Sequence, residues 1–295
     1  MNCHNGEEYL HEAIKSVYEQ TYQNWEIIFW DNASTDQSKK IALSFDKKVK
    51  YFFSQQKSSL GEARNLALNE ANGRYICFLD CDDLYLPNKL QRQVKLMEAG
   101  GFPLSYSSAE IIDGNGNKIR NFQAKNNSGY IFDKLLVHYE INMQSVILRN
   151  SFLIKEELNF LTSMQYCPDH NLFLKIAANN MVGVDQNYLV KYRVIANSLS
   201  SQTIYLAGSE VRFTLDEISH KDPQLKLKLI KKFRLAYAKC SYYDAIAFIY
   251  GQQYKEARKL LFPIILMRFE YLGLYLLLLL NLPSKLILRL LNRYV

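Results

Sequence analysis

Apolar and polar positions along this chain fall into blocks whose period switches repeatedly between that of a helix and that of a strand. In residues 6–20, Leu10, Ile14 and Val17, with Tyr18, recur at helical spacing. Residues 25–30 then form an apolar strand that stops at Asp31. The turn Asp31-Asn32-Ala33-Ser34-Thr35-Asp36 is rich in helix-capping side chains, so the next helix is expected over 37–45 and a strand over 49–53. Ser58-Ser59-Leu60-Gly61 opens a further helix that Gly73 ends. The run Tyr75-Ile76-Cys77-Phe78-Leu79 follows as a strand of the parallel type, buried on both faces. The pattern so far is alternating β and α.

Beyond Pro87 a helix extends to Ala99, after which the blocks become mixed. A hairpin turn is expected at Asp113-Gly114-Asn115-Gly116, strands over 143–148 and 188–194, and a helix over 169–178. From about Ile204 onward the chain reads as helical. Tyr271 to Leu282 is nearly all leucine, but Arg268 and Glu270 precede it and Pro283 ends it. A membrane span needs roughly 20 apolar residues. The preferred reading is therefore a helix in the membrane interface, with Lys285, Arg289 and Arg293 facing headgroups, and burial against the protein is the alternative.

A 48% hydrophobic content over 295 residues is enough for a packed core, so the chain is globular. Five scattered cysteines without a CxxC pair indicate neither a disulfide framework nor a zinc site, which points to a reducing cytoplasm. The first residues are polar and lack a basic segment followed by an apolar one, so a cleavable leader is not expected. The net charge of +7 is uneven, with seven Lys or Arg against the single Asp222 over residues 221–239. That block is either a solvated helix face or a surface for anionic lipid. No zinc finger, basic zipper or RNA-binding aromatic motif accompanies it, and nucleic acid is not an expected partner.

The densest chemistry lies where the apolar run 75–79 ends in Asp80-Cys81-Asp82-Asp83, three carboxylates within four positions. Carboxylates beyond a strand end in an α/β sheet suit a hard cation such as Mg²⁺ or Mn²⁺, which takes one or two Asp side chains and completes its shell with diphosphate oxygens. With Asn2-Cys3-His4-Asn5-Gly6, Trp30-Asp31-Asn32-Ala33-Ser34-Thr35-Asp36 and Gly61-Glu62-Ala63-Arg64-Asn65 in the same order, this resembles the inverting nucleotide-sugar glycosyltransferases of family two. The resemblance covers residues 1–200. It implies an α/β GT-A fold, a Rossmann-like mixed sheet flanked by helices with a C-terminal helical extension. The implied divisions are a nucleotide-sugar-binding half at 1–99, an acceptor-binding half at 100–200 and the helical extension at 201–295.

The resemblance further implies donor binding by Asn2, Asp31, Asn32, Arg64 and Asp80, Mn²⁺ or Mg²⁺ on Asp82, and Asp169 as catalytic base, with Asp83 the third acid. The expected donor is a nucleoside-diphosphate sugar. A glycan or lipid-linked acceptor is expected in surface polysaccharide assembly, with the protein peripheral on the inner face of the cell membrane. Three departures stand out. Asn32 replaces the base-reading acid, Pro168 precedes Asp169 where relatives have Glu, and Ile195 follows Tyr192-Arg193-Val194 where many have His. Relatives also carry an apolar strand of about six residues before the Asn-x-x-Asn-Gly turn, so the first strand is expected to be missing and Met1 to be an internal residue of a longer protein. Two rivals remain: a truncated or inactive relative that binds nucleotide sugar without turnover, and a sugar nucleotidyltransferase. The Gly-rich, Arg- or Lys-bearing opening loop of the latter is absent.

Overall fold

The computed structural model describes residues 1–195, 198–280, 282–284 and 286–287 and divides the chain into two units, 1–196 and 197–295. The first unit runs β1 (Asn2–Cys3), α1 (Leu10–Tyr18), β2 (Ile27–Asn32), α2 (Ser38–Leu43), β3 (Val49–Ser54), α3 (Leu60–Asn69), β4 (Tyr75–Cys77) and β5 (Leu84–Tyr85). It continues through α4 (Lys89–Gly100), β6 (Leu104–Ile112), β7 (Lys118–Phe122), α5 (Phe132–Val137), β8 (Ile147–Arg149), α6 (Asn150–Lys155), α7 (Pro168–Asn179) and β9 (Val182–Arg193). Strands β1, β2 and β3 form a parallel sheet. The other six make a mixed sheet in the order β4-β8-β6-β9-β5, with β7 hairpinned onto β6. Strands from residues 75–85 and from residues 104–193 thus share one sheet. The buried face of α1, Leu10, Ala13, Ile14 and Val17, belongs to a core with Ile27, Phe29, Leu79, Tyr85 and Leu90.

Three expected strands differ in detail. The stretch expected as strand over 143–148 opens as a 3-10 turn at Met143–Ser145, capped by Asn142, and becomes strand only over Ile147–Arg149. The run that ends in acid leaves the sheet at Cys77, and β4 is antiparallel to β8. A strand buried on both faces has the same apolar run whichever way its neighbour points, so the pattern could not decide direction. Phe78 and Leu79 stay in the core regardless, Phe78 meeting the Phe160 ring edge-on at 5.4 Å. Strand β9 begins six residues before the expected start, through the polar Asp185-Gln186-Asn187, because register shifts at Ser107 and Ser108 accommodate them.

The inner edge of β2 is only partly covered. Asn2 and Cys3 pair with Trp30 and Asp31, the Met1 carbonyl accepts from Trp30 N–H at 2.8 Å, and the Met1 ammonium donates to the Ile28 carbonyl at 2.7 Å. Beyond that rung lies a cavity of about 500 Å³ whose lining includes Ile27 and Ile28 on one side and Tyr75, Ile76 and Cys77 on the other. Two strand edges and apolar side chains therefore face one slot. Burial there pushes the Met1 ammonium below its ordinary value of 8.0.

At the end of β9 in the mixed sheet, Arg193 ties four segments together. Its backbone N–H donates to Asp83 Oδ1 at 2.6 Å and its Nε to the Asp82 carbonyl at 2.7 Å. Nη2 bonds Glu12 at 2.9 Å, Nη1 reaches the Asp113 and Gly114 carbonyls, and the guanidinium stacks 4.4 Å from the Tyr9 ring centroid. The side chain is buried.

The second unit comprises α8 (Leu199–Thr203), α9 (Ala207–Lys221), α10 (Pro223–Lys228), α11 (Ile230–Tyr250), α12 (Tyr254–Leu261) and α13 (Leu272–Leu279). Pro223 sits at the first turn of α10 with Asp222 capping it at 2.9 Å. Leu274 and Leu278 of α13 are buried with Leu261 and Tyr271, whereas Leu276 and Leu279 are exposed. No described helix is long and apolar enough to cross a membrane. Lys285, Arg289 and Arg293 lie outside the described residues.

Two outcomes follow from the edge of β2 and the Arg193 clamp. Three apolar residues placed before Met1 should fill the slot and raise the melting temperature by on the order of 5 °C, since the about 1.5–3 kcal/mol from each buried Val or Ile is largely offset by about 1–2 kcal/mol for ordering each residue. The unfolded chain binds the amine's proton more tightly than the folded one. Stability of the Met1-start chain should therefore rise with pH up to about 8, and the extension should remove that dependence; an unchanged melting curve would show that the slot takes no strand. Arg193→Met should cost about 3 kcal/mol in urea unfolding by stranding the Asp82, Asp113 and Gly114 carbonyls, while the exposed Glu12 carboxylate is left to water. A loss under about 1 kcal/mol would mean that water replaces the clamp.

Candidate active site

The two short turns at the ends of β1 and β2 are stitched together by side chains. Asn5, in the left-handed region at φ 55°, donates its N–H to Ser34 Oγ at 3.0 Å, and its own Oδ1 accepts from Thr35 N–H at 2.8 Å. Gly6 N–H donates to Ser38 Oγ, Glu7 N–H to Asp36, and Gln37 N–H to Glu7. Gly6 is required by space, because a Cβ there would lie 2.9 Å from both Cys3 Sγ and Cys81 Cβ. Cys81 donates in turn to the Asn2 carbonyl at 3.2 Å, which places β1 against the acid loop. Asn2 Nδ2 is buried with no hydrogen-bond partner among the described residues.

Asp31 and Asn32, both expected to face the donor, are buried. Asp31 accepts from Ser34 N–H at 2.8 Å and from the Tyr51 hydroxyl at 2.7 Å, and burial together with this carboxylate pushes the Tyr51 phenol upward. Asp31 thereby holds the turn. Asn32 pairs with Ser58 in both directions, donating to its carbonyl at 3.0 Å and accepting from its N–H at 3.0 Å, so it fixes the segment that leads into α3.

Helix α3 begins with Ser59 capping Glu62 N–H and carries Arg64 in its second turn. Gly61 lets the helix approach the backbone at Leu161, whose carbonyl oxygen would be 2.7 Å from a Cβ. Asn65 then locks Phe160 through both its N–H and its carbonyl, at 2.9 and 2.8 Å. The loop that leads into α7 is thus docked on α3. Arg64, itself buried, spreads over the Phe160 ring and reaches Asp80 Oδ1 at 3.5 Å.

Asp80 is held on its other side by a residue that the motifs did not single out. Gln144 accepts from Asp80 N–H at 2.9 Å and donates to Asp80 Oδ2 at 2.6 Å. The Gln144 side chain is fully buried, and its N–H is capped by Asn142 at 3.1 Å. A lone amide in the apolar stretch 143–148 was the only sign of it in the sequence, since a buried polar group requires a partner.

The acids respond to this crowding. Burial and the charge of Asp80 push the half-exposed Asp82 carboxyl up to about 6. Asp83 is driven higher still by burial and by its two acidic neighbours, against the Arg193 N–H bond. Asp83 Oδ2 is buried without a hydrogen-bond partner among the described residues, so Asp83 belongs to the loop's internal support. Asp169 occupies the second position of α7, behind Pro168 at the first, while Cys167 is the N-cap residue. Burial raises the Asp169 carboxyl, Arg64 and the helix-start N–H groups lower it, and Asp80 raises it again. Arg64, Asp80 and Asp169 therefore share one electrostatic environment. Beside Asp169, the His170 ring packs on Tyr139 with centroids 4.4 Å apart.

No cluster of three or more His, Cys, Asp or Glu among the described residues is arranged to hold a metal ion. The donor set at the loop is instead two neighbouring carboxylates, Asp80 and Asp82, one of them pushed toward protonation by the other. That chemistry fits a hard cation which shares its shell with phosphate oxygens.

Comparison with known proteins identifies the family and the fold. The family model described as Glycosyl transferase family 2 matches residues 1–155. The UDP-Glc:alpha-D-GlcNAc-diphosphoundecaprenol beta-1,3-glucosyltransferase WfgD of Escherichia coli is 32% identical over 204 residues, covering 68% of this chain and 78% of that protein. An uncharacterized glycosyltransferase of Rickettsia bellii is 31% identical over 186 residues, 62% of this chain but only 26% of the relative, so this chain matches about a quarter of that longer protein. Among solved structures, S. aureus TarS 1-349 in complex with UDP-GlcNAc superposes with a TM-score of 0.61 at 14% identity, covering 88% of this chain and 87% of that one. The mannosyltransferase PcManGT from Pyrobaculum calidifontis, in complex with GDP-Man and Mn²⁺, gives 0.56 at 16% identity, covering 97% and 84%. The fold is accordingly GT-A. With the family model spanning more than half of its length, the chain belongs to glycosyl transferase family 2.

Proposed function

We propose that this protein is an inverting glycosyltransferase that moves a sugar from a nucleoside-diphosphate donor to a hydroxyl of a lipid-linked glycan. The observation that carries the proposal is the convergence of Arg64, Asp80 and Asp169 at the acid loop. Arg64 offers a fixed cation to departing diphosphate, and Gln144 keeps Asp80 in one orientation as charge develops. In this reading Asn2 and Asn32 would meet the nucleoside end of the donor, and Asp31 acts by holding that turn. A divalent ion on Asp82, Mn²⁺ or Mg²⁺, would supply charge neutralisation for the diphosphate.

Asp169 is the acceptor-side base. It must take the proton of the attacking hydroxyl on the face opposite the leaving group, and a carboxyl raised by burial is better matched to that task than an exposed one. Pro168 fits the first position of α7 without cost, since no intrahelical N–H is needed there, so the replaced Glu does not disturb Asp169. The lipid-linked acceptor follows from the Escherichia coli relative, whose name specifies a diphosphoundecaprenol-linked sugar. Surface polysaccharide assembly on the inner membrane face is part of the same proposal. The second reading, donor binding without turnover, is favoured by Ile195, which offers neither a metal ligand nor a phosphate donor after the Tyr192-Arg193-Val194 strand end.

Asp82→Asn should abolish Mn²⁺-dependent stabilisation by UDP-sugars while leaving the melting temperature of the free protein within a few degrees. In the parent, that stabilisation should weaken as pH falls below about 6, because a proton then competes for the carboxylate. Equal donor affinity in mutant and parent would remove Asp82 from the metal site. Asp169→Asn should keep donor binding and lose transfer by at least roughly 100-fold, the scale of a general base. Transfer near the parent rate would leave Asp169 a helix-start residue only, and donor binding with no transfer in the parent itself would support the second reading.

A further inference from the structure

Outside the acid loop, the most unusual surface lies in the second unit, on the turn that joins α12 to α13. Leu266 is 97% exposed, Phe269 74% and Phe262 67%, and Leu276, Leu279 and Leu280 continue the exposed apolar surface along α13. Helix α13 contains no charged side chain and Tyr275 is its one hydroxyl, and its buried side is already satisfied by Leu274 and Leu278. A helix apolar on all sides belongs in a core or in lipid. At eight residues α13 spans about 12 Å, far short of the roughly 30 Å hydrocarbon layer.

The turn is pinned beside the basic stretch of α11. Arg268 Nε donates to the Leu235 carbonyl at 3.2 Å, and Tyr271 stacks on Tyr242 with ring centroids 4.4 Å apart. Leu235 lies within about one helical turn of Lys231 and Arg234, both exposed. Lys228 and the exposed Leu227 precede them on α10. Apolar prongs and a cationic rim thus occupy neighbouring positions on one unit.

We infer that the α12–α13 turn, with Leu266 and Phe269 at its tip and Lys231 and Arg234 at its rim, is a docking edge for an anionic lipid bilayer. The prongs enter the headgroup region and the basic side chains meet lipid phosphates, so the unit lies on the membrane without crossing it. A neutral protein partner would make no use of the positive rim. This inference goes beyond the donor-site reading and stands on different residues.

The test is sedimentation of the full chain with phosphatidylcholine vesicles, with and without phosphatidylglycerol, at low and high salt. The parent should bind the anionic vesicles and be only partly released by salt. The pair L266D and F269D should weaken that binding by roughly tenfold or more while UDP-sugar stabilisation stays at the parent level. The pair K231E and R234E should erase the preference for phosphatidylglycerol and keep the residual binding to neutral vesicles. Should the Asp pair lower the melting temperature, L266S and F269S would replace it, with the same loss expected. Absence of vesicle binding by the parent, or equal binding by the prong variants, would overturn the inference. So would a dimer in light scattering that dissolves on L266D and F269D, because the edge would then be covered by a second copy. Loss of donor binding with vesicle binding intact would count against the catalytic reading alone.

Discussion

Three carboxylates in four residues at the end of a buried run can be tolerated only if their surroundings supply charge and hydrogen bonds, and much of the first unit is arranged around that requirement. Asp80 is met by Arg64 and by both ends of the Gln144 amide. Asp83, pushed toward its protonated form, is met by the Arg193 backbone. The Arg193 side chain goes on to α1 and to the β6–β7 turn. Asp80 and Asp82 both keep partly exposed carboxyls, but Asp80 is already engaged by Arg64 and Gln144, which leaves Asp82 the acid best placed for an outside partner. The division of labour follows from solvation: a buried acid is spent on structure, and an accessible one is available for chemistry.

The same economy explains why the motif residues around the site divide into two kinds. Asn5, Gly6, Asp31, Asp36, Gly61 and Asn65 are used up in holding turns and loops against each other. Their effect on the site is indirect but strong. Asn65 and Gly61 dock the loop before α7 onto α3, so Asp169 comes within electrostatic reach of Arg64 although 105 residues separate them in the chain. Precise placement of a few charged groups on rigid elements is what a transferase of this family needs, since charge development on diphosphate gains most from groups that do not reorganise.

The second unit obeys a different constraint. Its helices bury Leu261, Tyr271, Leu274 and Leu278 in a core of their own, yet leave other leucines of the same short helix in solvent. Basic side chains one turn away from the Arg268 anchor give that exposed surface a sign of charge. Apolar area and positive charge together are the features from which we propose an anionic bilayer as the complement of this edge.

Local periodicity was enough to locate most elements: the core face of α1, the strand over β2, the helix start at Ser59, the hairpin after Asp113 and the helix behind Pro168 all rest on spacing and capping chemistry within a few residues. The four ordered motifs were likewise enough to indicate the family and the GT-A fold. What spacing could not carry was pairing. The antiparallel partner of β4, the early start of β9 and the slot beside β2 depend on strands far apart in sequence, and a buried strand looks alike whatever lies next to it. For the same reason Gln144 and Arg193 escaped notice. Neither carries a local signal of its role, and the importance of each comes from a carboxylate 64 or 110 residues away that only the folded chain brings within reach.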